Sequence, residues 1–369
     1  MVKGINSGKY LAWGMMAAAS SSALAAPAIE AGITTSYQTS NDELVREEVT
    51  FSADLVLRWE WDSSELYSYL EANNSPRDLG VSSVLPEVNA DAGSALDEDR
   101  RGRIQLSELG YRYFFNQQQT LSLGLLDVTA YFDQSRIASD ENSQFMAVPF
   151  VQNPTIEFPD YSLGAVYEHL FGGGLALRTA VISSNGIADN PNLSYAQLVS
   201  VGEQHKGVFA IAAVTKSSKH WLARTGVWVN TADHSRLDAN AEQQNNYGGY
   251  GVLGFKAGQH ALNLRVGRAN DAVSPIAGFA GLSYQYVYSS WVLGAGAALM
   301  QVSEQVPFAA GVIAPADTKQ YEIYLRYEVN SSLFVTTDMQ YLLNSNLNQL
   351  AEPYRPHQTV LGMRLTYLL

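Results

Sequence analysis

Residues 49–61 read VTFSADLVLRWEW, and every odd-numbered position in this stretch carries an apolar side chain. Most of the even-numbered positions are polar, with Arg58 and Glu60 near the end of the run. Successive side chains of a β-strand point to opposite faces, so this strand has one apolar face and one polar face. The stretch also exceeds the ~9–11 residues that a tilted strand needs to cross a bilayer. It therefore predicts a membrane-spanning strand with lipid on one side and water on the other.

The same period of two recurs along the chain and predicts sixteen strands, an even number, as in bacterial single-chain barrels. No segment after the amino terminus offers the ~20 continuous apolar residues that a membrane helix requires. The predicted strands are 29–38, 48–61, 64–72, 103–115, 120–128, 162–170, 174–183, 206–215, 219–230, 247–257, 259–268, 278–288, 290–302, 319–330, 332–343 and 357–369.

The links between these strands alternate strictly between short and long, as short periplasmic turns and long external loops do in outer-membrane barrels. The longest predicted loops are 73–102 and 129–161, and 184–205 and 231–246 are among the other long ones. Aromatic residues at strand ends suit the two membrane interfaces. Together these features predict an all-β fold: one transmembrane antiparallel β-barrel domain, residues 26–369, of about 16 strands. The girdle candidates are Trp59, Trp61, Trp221, Trp291, Tyr327, Tyr341 and Tyr367.

The amino terminus has the pattern of a secretory signal peptide. Lys3 and Lys9 precede the apolar run 11–19, and an A-x-A site follows at residues 23–25. The run is too short to span ~30 Å of hydrocarbon. We therefore expect cleavage after Ala25 and a mature chain in the outer membrane of a Gram-negative bacterium. Its expected partners are outer-membrane lipid, lipopolysaccharide and the barrel-assembly machinery.

Charge and motifs argue against several other functions. The formal net charge is -13, whereas nucleic-acid binding needs clustered Lys and Arg. The sequence has no G-x-S-x-G or H-E-x-x-H motif, and its six His are scattered. The run Asp97-Glu98-Asp99 has the oxygen ligands of a cation site, but such a run more often forms a solvated surface. We expect no catalytic residues, metal or cofactor.

A barrel of sixteen strands is wide enough for an aqueous channel, so whatever narrows the lumen decides function. Loops as long as 73–102 and 129–161 tend to be functional, and we expect one or both to fold inward. Carboxylates, amides, arginine and aromatic rings together suit polyhydroxylated solutes. The constriction candidates are Asp127, Tyr131, Asp133, Arg136, Asn153 and Asp160.

The alternation also predicts which strand residues face the lumen. Each of these side chains could instead be solvated or pair across strands to stabilise the wall. The lumen-wall candidates are Arg58, Glu60, Tyr67, Arg178, Arg224, Trp228, Arg265, Arg326 and Arg364.

One region resembles a known family. Residues 124–133 (GLLDVTAYFD), Phe145, 153–156 (NPTI), 158–161 (FPDY) and 163–164 (LG) are similar to the carbohydrate-selective porins, the OprB family. Residues 184–186, 230–233 and 362–365 are also similar. The resemblance implies a sixteen-stranded barrel narrowed by inward-folded loops that passes monosaccharides and other small solutes. It also implies that Asp127, Asp133 and Arg136 lie near the pore mouth.

The leading functional hypothesis is therefore passive diffusion of small solutes, mainly monosaccharides, through a loop-constricted lumen. A channel or exporter for other small solutes, such as organic acids or metal complexes, is the alternative, and an outer-membrane enzyme is the third. An arginine ladder on the lumen wall would favour anions, and aromatic rings in the constriction would favour sugars. An enzyme would need a Ser/His pair at one strand end.

Overall fold

The computed structural model describes residues 26–93, 95–187, 192, 194–200, 206–238, 242–306, 316–345 and 356–369. The predicted signal peptide, residues 1–25, lies outside them. Within the described residues the chain forms sixteen strands. They are β1 (Ala28–Ser40), β2 (Glu48–Trp61), β3 (Ser64–Asn73), β4 (Ile104–Asn116), β5 (Gln119–Leu126), β6 (Ser162–Gly172), β7 (Leu175–Ser183), β8 (Val208–Ser217), β9 (Trp221–Ser235), β10 (Gln243–Ala257), β11 (His260–Ala269), β12 (Ile276–Tyr288), β13 (Trp291–Val302), β14 (Thr318–Glu328), β15 (Leu333–Leu343) and β16 (His357–Leu368).

The strands form one closed antiparallel barrel in which each strand pairs with its neighbours in sequence. β1 closes the barrel against β16, with Gly32 opposite Leu368 and Ser40 opposite Val360. Closure leaves every strand with two neighbours, so no row of backbone donors and acceptors faces lipid. The predicted sixteen-stranded all-β barrel is confirmed.

The structure differs from the predicted strand bounds at the end of β5 and in the hairpin of β9 and β10. Strand β5 ends at Leu126 and not at residue 128, because Asp127 accepts a hydrogen bond from the Thr129 amide and starts a helical turn. Most of the predicted loop 231–246 is strand, since β9 and β10 pair as far as Ser235 opposite Gln243. These hairpin residues are polar on both faces, so the alternation of apolar and polar residues could not reveal them.

The outer surface of the barrel is apolar. Phe51, Val227, Ile323 and Leu365 point outward from different strands and are 40% exposed or more. A surface of this kind is stable only when lipid covers it. At the short-turn end, the outward rings of Trp291 and Tyr327 lie 4.6 Å apart between centroids. None of the helices in the described ranges is both long and apolar enough to cross a membrane.

Two long loops carry the three short α-helices. We call residues 74–103, between β3 and β4, loop A, and residues 127–161, between β5 and β6, loop B. Loop A contains α1 (Val81–Val84) and a 3-10 turn (Pro86–Val88). Loop B contains α2 (Thr129–Phe132) and α3 (Val148–Val151). Both loops fold into the lumen.

Candidate functional site

Loop B is held against one side of the lumen by side chains of β9 and β10. The Arg224 guanidinium donates hydrogen bonds to the backbone carbonyl oxygens of Phe132 (2.7 Å) and Gln134 (3.3 Å). The Tyr250 hydroxyl donates to the same Phe132 oxygen over 2.9 Å. Buried carbonyl groups need such donors because they have lost water. These bonds fix the end of α2 inside the barrel.

Arg265 on β11 holds the middle of loop B. Its Nε lies 3.1 Å from Asp133 Oδ1, and both side chains are almost completely buried. Its Nη1 donates to the Phe150 carbonyl oxygen over 2.6 Å, and its Nη2 donates to Ser139 Oγ over 2.6 Å. Asp133 Oδ2 also accepts a 2.6 Å bond from the Asn153 amide. A single buried ion pair thus joins the wall to two separate turns of loop B.

The wall opposite β6, at β14, holds loop B through a buried carboxylate and an aromatic cluster. The Glu322 carboxylate on β14 accepts hydrogen bonds from the Met146 amide (2.8 Å) and the Ala147 amide (2.9 Å). The Phe145 ring lies 5.0 Å from the ring centroid of Tyr324 on the same strand. Charged acceptors bind backbone amides more strongly than neutral ones do. Loop B therefore crosses the lumen and is attached on both sides.

Two further arginines bind the segment of loop B that precedes this cluster. Arg326 on β14 donates to the Ser143 carbonyl oxygen over 2.6 Å. Arg364 on β16 donates to the Gln144 carbonyl oxygen over 2.7 Å and also to that of Glu141. Because these guanidinium groups bind backbone oxygens, their positive charge faces loop B and not an open channel.

Loop A is held by amide side chains on strands near the point of barrel closure. Gln38 on β1 and Gln340 on β15 both donate to the Val88 carbonyl oxygen, over 3.2 and 2.8 Å. Gln320 on β14 donates to the Glu87 carbonyl oxygen over 3.2 Å. Each glutamine points inward and replaces the water that a carbonyl group would otherwise bind. Loop A is also bound by the buried Glu48 carboxylate on β2, which accepts hydrogen bonds from the Ser82 amide and hydroxyl over 2.7 Å.

Loop A also has its own apolar contacts and touches loop B. The Ala90 amide donates to the Met146 carbonyl oxygen over 2.9 Å, which links the two loops inside the lumen. Removing apolar side chains from water stabilises this packing. The loop A residues Val81, Leu85 and Val88 pack against Val45, Leu342 and Val360.

Several cavities lie around the inward loops among the described residues, and three of them concern the channel. One, of about 150 Å³, lies between loop A, loop B and β3, and we call it the inter-loop cavity. A second, of about 540 Å³, is lined by residues near the short turns, including Arg112, Arg178, Arg224, Phe114 and Tyr131, and we call it the vestibule. The third, of about 250 Å³, lies between loop B and strands β9 to β12. Gln134 lines all three.

The structure distributes the predicted constriction residues among these cavities. Asp127, Asp133 and Asp160 line the inter-loop cavity. Tyr131 lines the vestibule, and Arg136 lines the third cavity, where its guanidinium lies 3.4 Å from the Lys219 carbonyl oxygen. Lys219 belongs to a short turn, so Arg136 faces the short-turn end. Asn153 is buried and donates to the Val266 carbonyl oxygen over 3.0 Å.

The predicted lumen-wall residues have different roles in the structure. Arg224, Arg265, Arg326 and Arg364 bind loop B, as described above. Some of the others form cross-strand ion pairs, Arg178 with Glu168 and Arg58 with Glu65. Glu60 is exposed, whereas Tyr67 and Trp228 are packed in the apolar cluster beside loop B.

Sequence reasoning did not select Glu322, Tyr250, Glu71, Asp91, Glu141 or Gln134. Glu322 and Glu71 lie at positions of β14 and β3 whose parity points inward, so alternation could have identified them. Asp91, Gln134 and Glu141 lie in loops A and B, where no periodicity predicts direction. Only the path of the folded loops brings them together.

Comparisons with known proteins agree with this architecture. No protein-family model matches the chain. An uncharacterized protein of Aquifex aeolicus is 31% identical over 96 residues, which make up 26% of this chain and 30% of that protein. The chain thus spans about a third of that relative's length.

Solved structures show a likeness over almost the whole chain. The high-pH structure of OprB from Pseudomonas putida superposes with a TM-score of 0.69 and 12% identity, over 93% of this chain and 94% of that one. A mutant of the Rh. blastica porin superposes with a TM-score of 0.56 and 12% identity, over 93% and 100%. At this identity the likeness concerns the fold, and the chain has the closed-barrel fold of these porins.

Proposed function

We propose that this chain is an outer-membrane porin through which small solutes, mainly monosaccharides, diffuse passively. The observation that carries the proposal is a closed sixteen-stranded barrel with an apolar outer face and two long loops folded into its lumen. A barrel of this size leaves room for an aqueous channel, and inward loops reduce it to the size of small solutes. Its location in the outer membrane and the cleaved signal peptide are part of the same proposal.

The vestibule supports carbohydrates as the main solute class. Its wall combines the rings of Phe114 and Tyr131 with Arg178, Asn116 and Gln117. Sugar hydroxyls bind both donors and acceptors, and the apolar face of a sugar ring packs on aromatic rings. The same barrel would contact lipid and lipopolysaccharide through its outer face, and we expect the barrel-assembly machinery to insert it.

A channel for small organic acids is the second candidate. Three arginines that line the vestibule, Arg112, Arg178 and Arg224, favour it. However, Arg112 pairs with Glu65 at 2.8 Å, Arg178 pairs with Glu168, and Arg224 binds loop B. Because this positive charge is largely matched within the wall, we prefer neutral solutes. We propose no catalytic activity.

Liposome swelling with the purified protein tests the proposed function. The solutes are glucose, a disaccharide, a neutral amino acid and a small organic acid of glucose size. We expect fast swelling with glucose, slower swelling with the disaccharide and slow swelling with the acid. Swelling with none of the solutes would contradict the porin function, and swelling fastest with the acid would favour the second candidate.

A variant of the vestibule sharpens this test. Tyr131→Ala removes a ring that the proposal assigns to sugar packing, so glucose swelling should lose its advantage over the amino acid of equal size. Tyr247→Ala is the matched control, because Tyr247 is exposed on β10 and lines none of the three cavities. Equal effects of the two variants would contradict sugar packing in the vestibule.

A further inference from the structure

The inter-loop cavity differs from the other two in its charge. Among the described residues that line it, none is Lys, Arg or His. Six of them carry carboxyl groups, contributed by β3, by loop A and by loop B. They are Glu71, Asp91, Asp127, Asp133, Glu141 and Asp160.

Three of these carboxyl groups accept hydrogen bonds from neutral hydroxyl groups, and a fourth is paired with an arginine. Asp133 is paired with Arg265 and is therefore neutralised. Asp91 accepts a 2.5 Å hydrogen bond from the Ser52 hydroxyl, and Asp127 accepts one of 2.5 Å from the Thr129 hydroxyl. Glu71 accepts hydrogen bonds from the Tyr69 and Ser107 hydroxyls. A hydroxyl donor satisfies an oxygen lone pair but does not cancel a negative charge.

Further charged groups surround the cavity. After burial, the repulsion by Asp54 on β2 raises the pKa of Asp91 and that by Asp140 in loop B raises the pKa of Glu141, whereas Arg364 on β16 lowers the pKa of Asp91. The Arg364 guanidinium, however, donates to the backbone oxygens of Glu141 and Gln144. Arg364 is thus engaged by loop B, and Arg265, which pairs with Asp133 at this cavity, donates to loop B as well.

A separate observation concerns Gln134, which lines this cavity as well as the other two. Gln134 is 7% exposed, and its Nε2 donates to the Thr129 carbonyl oxygen over 3.1 Å. Its Oε1 accepts no hydrogen bond from the described residues. A buried acceptor without a donor is unfavourable, so this oxygen suits a ligand that brings donors. An ammonium group has three donors and no acceptor, which matches a lining of carboxylate and amide oxygens.

We infer that the inter-loop cavity is a selectivity site that favours solutes carrying an ammonium group, above all amino sugars. This inference rests on the proposed function and names the preferred solute class of the same channel. Neutral sugars pass less readily, and acidic sugars pass least because the carboxylates repel them. Across the described residues no His, Cys, Asp or Glu side chains form a group of three that could hold a metal ion. The site therefore acts by its electrostatic potential and not by chelation.

The ionisation of two cavity groups supports this inference. Burial and the repulsion by Asp54 raise the pKa of Asp91 to about 7. Burial and the repulsion by Asp140 and Asp91 raise the pKa of Glu141 to about 8. A cation that enters the cavity would relieve this repulsion and favour the ionised carboxylates.

Two measurements on the purified full chain test the inference. The first is liposome swelling at pH 7 with glucosamine, glucose and glucuronate, which are matched in size and differ in charge. The second is the reversal potential of the channel in a planar bilayer under a potassium chloride gradient. We expect swelling in the order glucosamine, glucose, glucuronate, and a potassium-over-chloride permeability ratio of about threefold or more.

A charge-neutral variant of the cavity gives the decisive comparison. In Asp91→Asn with Asp127→Asn, each new amide oxygen can still accept the hydroxyl hydrogen bond described above. The matched control is Glu43→Gln with Glu98→Gln, which removes two carboxyl groups at exposed positions of the long loops, outside the cavity. We expect the first variant to lose most of the potassium preference and of the glucosamine advantage, with glucose swelling retained, and the control to keep both.

Other results would overturn the inference. A wild-type channel that prefers chloride, or a cavity variant that behaves like its control, would show that these carboxylates do not select the solute. If glucose swelling is normal, neither result contradicts the proposed porin function. A potassium preference without swelling by any sugar would instead contradict the proposed carbohydrate function and keep the cation selectivity.

Discussion

Arg265 shows how single buried side chains shape the lumen. Its ion pair with Asp133 lies inside the barrel, where both groups have lost their water. Removing one partner of such a pair leaves an uncompensated charge and costs about 3–5 kcal/mol, whereas removing both costs much less. Since the removal of both partners costs little, the intact pair adds little net stability to the barrel, and its main effect is to position loop B.

We expect Arg265→Met to loosen loop B and to widen the channel. Swelling with a disaccharide should rise several-fold relative to glucose, because the turns at Phe150 and Ser139 lose their donors. The double variant Arg265→Met with Asp133→Asn should restore part of the wild-type ratio, since no charge is left unpaired. Equal disaccharide swelling in the wild type and Arg265→Met would contradict a role of this ion pair in setting the pore size.

Asp91 and Glu141 make the charge selectivity dependent on pH. Their pKa values of about 7 and about 8 lie above the usual values of carboxyl groups. Below pH ~7 both groups hold their protons, so the cavity loses negative charge; above pH ~8 both are ionised. The preference of the channel for cations should therefore rise with pH.

We expect the potassium-over-chloride permeability ratio to increase between about pH 6 and about pH 9. Reversal potentials in a planar bilayer measure it. Asp91→Asn with Glu141→Gln removes both titrating groups, and its ratio should change far less over this range. A ratio in the wild type that stays constant, or that falls as the pH rises, would contradict the prediction.

At the scale of the strands, tyrosines lie across glycines on the neighbouring strand. Tyr67 stands opposite Gly110, Tyr250 opposite Gly226 and Tyr324 opposite Gly294. A Cβ atom built on Gly294 would come within 2.0 Å of Tyr324 Cε1. These pairs let large inward rings lie flat on the wall, which leaves room for the loops. The sequence alone does not reveal which ring covers each of these glycines.

We expect Gly294→Ala to displace the Tyr324 ring from Phe145 and to lower the free energy of unfolding by about 1–3 kcal/mol. Urea unfolding in lipid vesicles measures the change. Gly254→Ala is the matched control, because the nearest atom to its new Cβ, Leu222 Cβ, lies 3.9 Å away. The prediction fails if the two variants unfold at the same urea concentration.

At the scale of the whole molecule, the barrel presents an apolar face to its surroundings and keeps its charges inside or at its ends. Ile323 lies in the middle of β14 and is 57% exposed on the outer face. Val199 is 68% exposed but belongs to a 3-10 turn in a long loop. The two side chains have similar exposure, and only the first is expected to lie in the lipid belt.

We expect Ile323→Arg to destabilise the folded barrel in lipid vesicles by about 2–4 kcal/mol, because a charge at the bilayer midplane loses its water. Val199→Arg should change the free energy of unfolding by less than about 0.5 kcal/mol, as surface substitutions usually do. Urea titrations of both variants in the same vesicles provide the comparison. Similar stabilities of the two variants would contradict a membrane-spanning belt at Ile323.

The strands could be predicted from the sequence because their signal is local. The alternation along β2 and β14 predicts which side chains contact lipid. A shift of one residue would turn every side chain of the strand to the other face. The prediction failed where lipid no longer imposes the pattern, as in the polar hairpin that extends β9 and β10 to Ser235 and Gln243. It also failed at residues 127–128, where a side-chain hydrogen bond ends β5.

The sequence by itself determined the closed barrel, its strand number and the face that each strand turns to lipid, because the bilayer imposes a period that every strand must repeat. Only the tertiary structure decided that both long loops enter the lumen, and that Arg224, Arg265 and Arg364 bind backbone oxygens of loop B. The same is true of the carboxyl groups around the inter-loop cavity. Loops A and B have no periodicity, and their positions depend on contacts between residues far apart in the chain, such as Arg265 with Asp133.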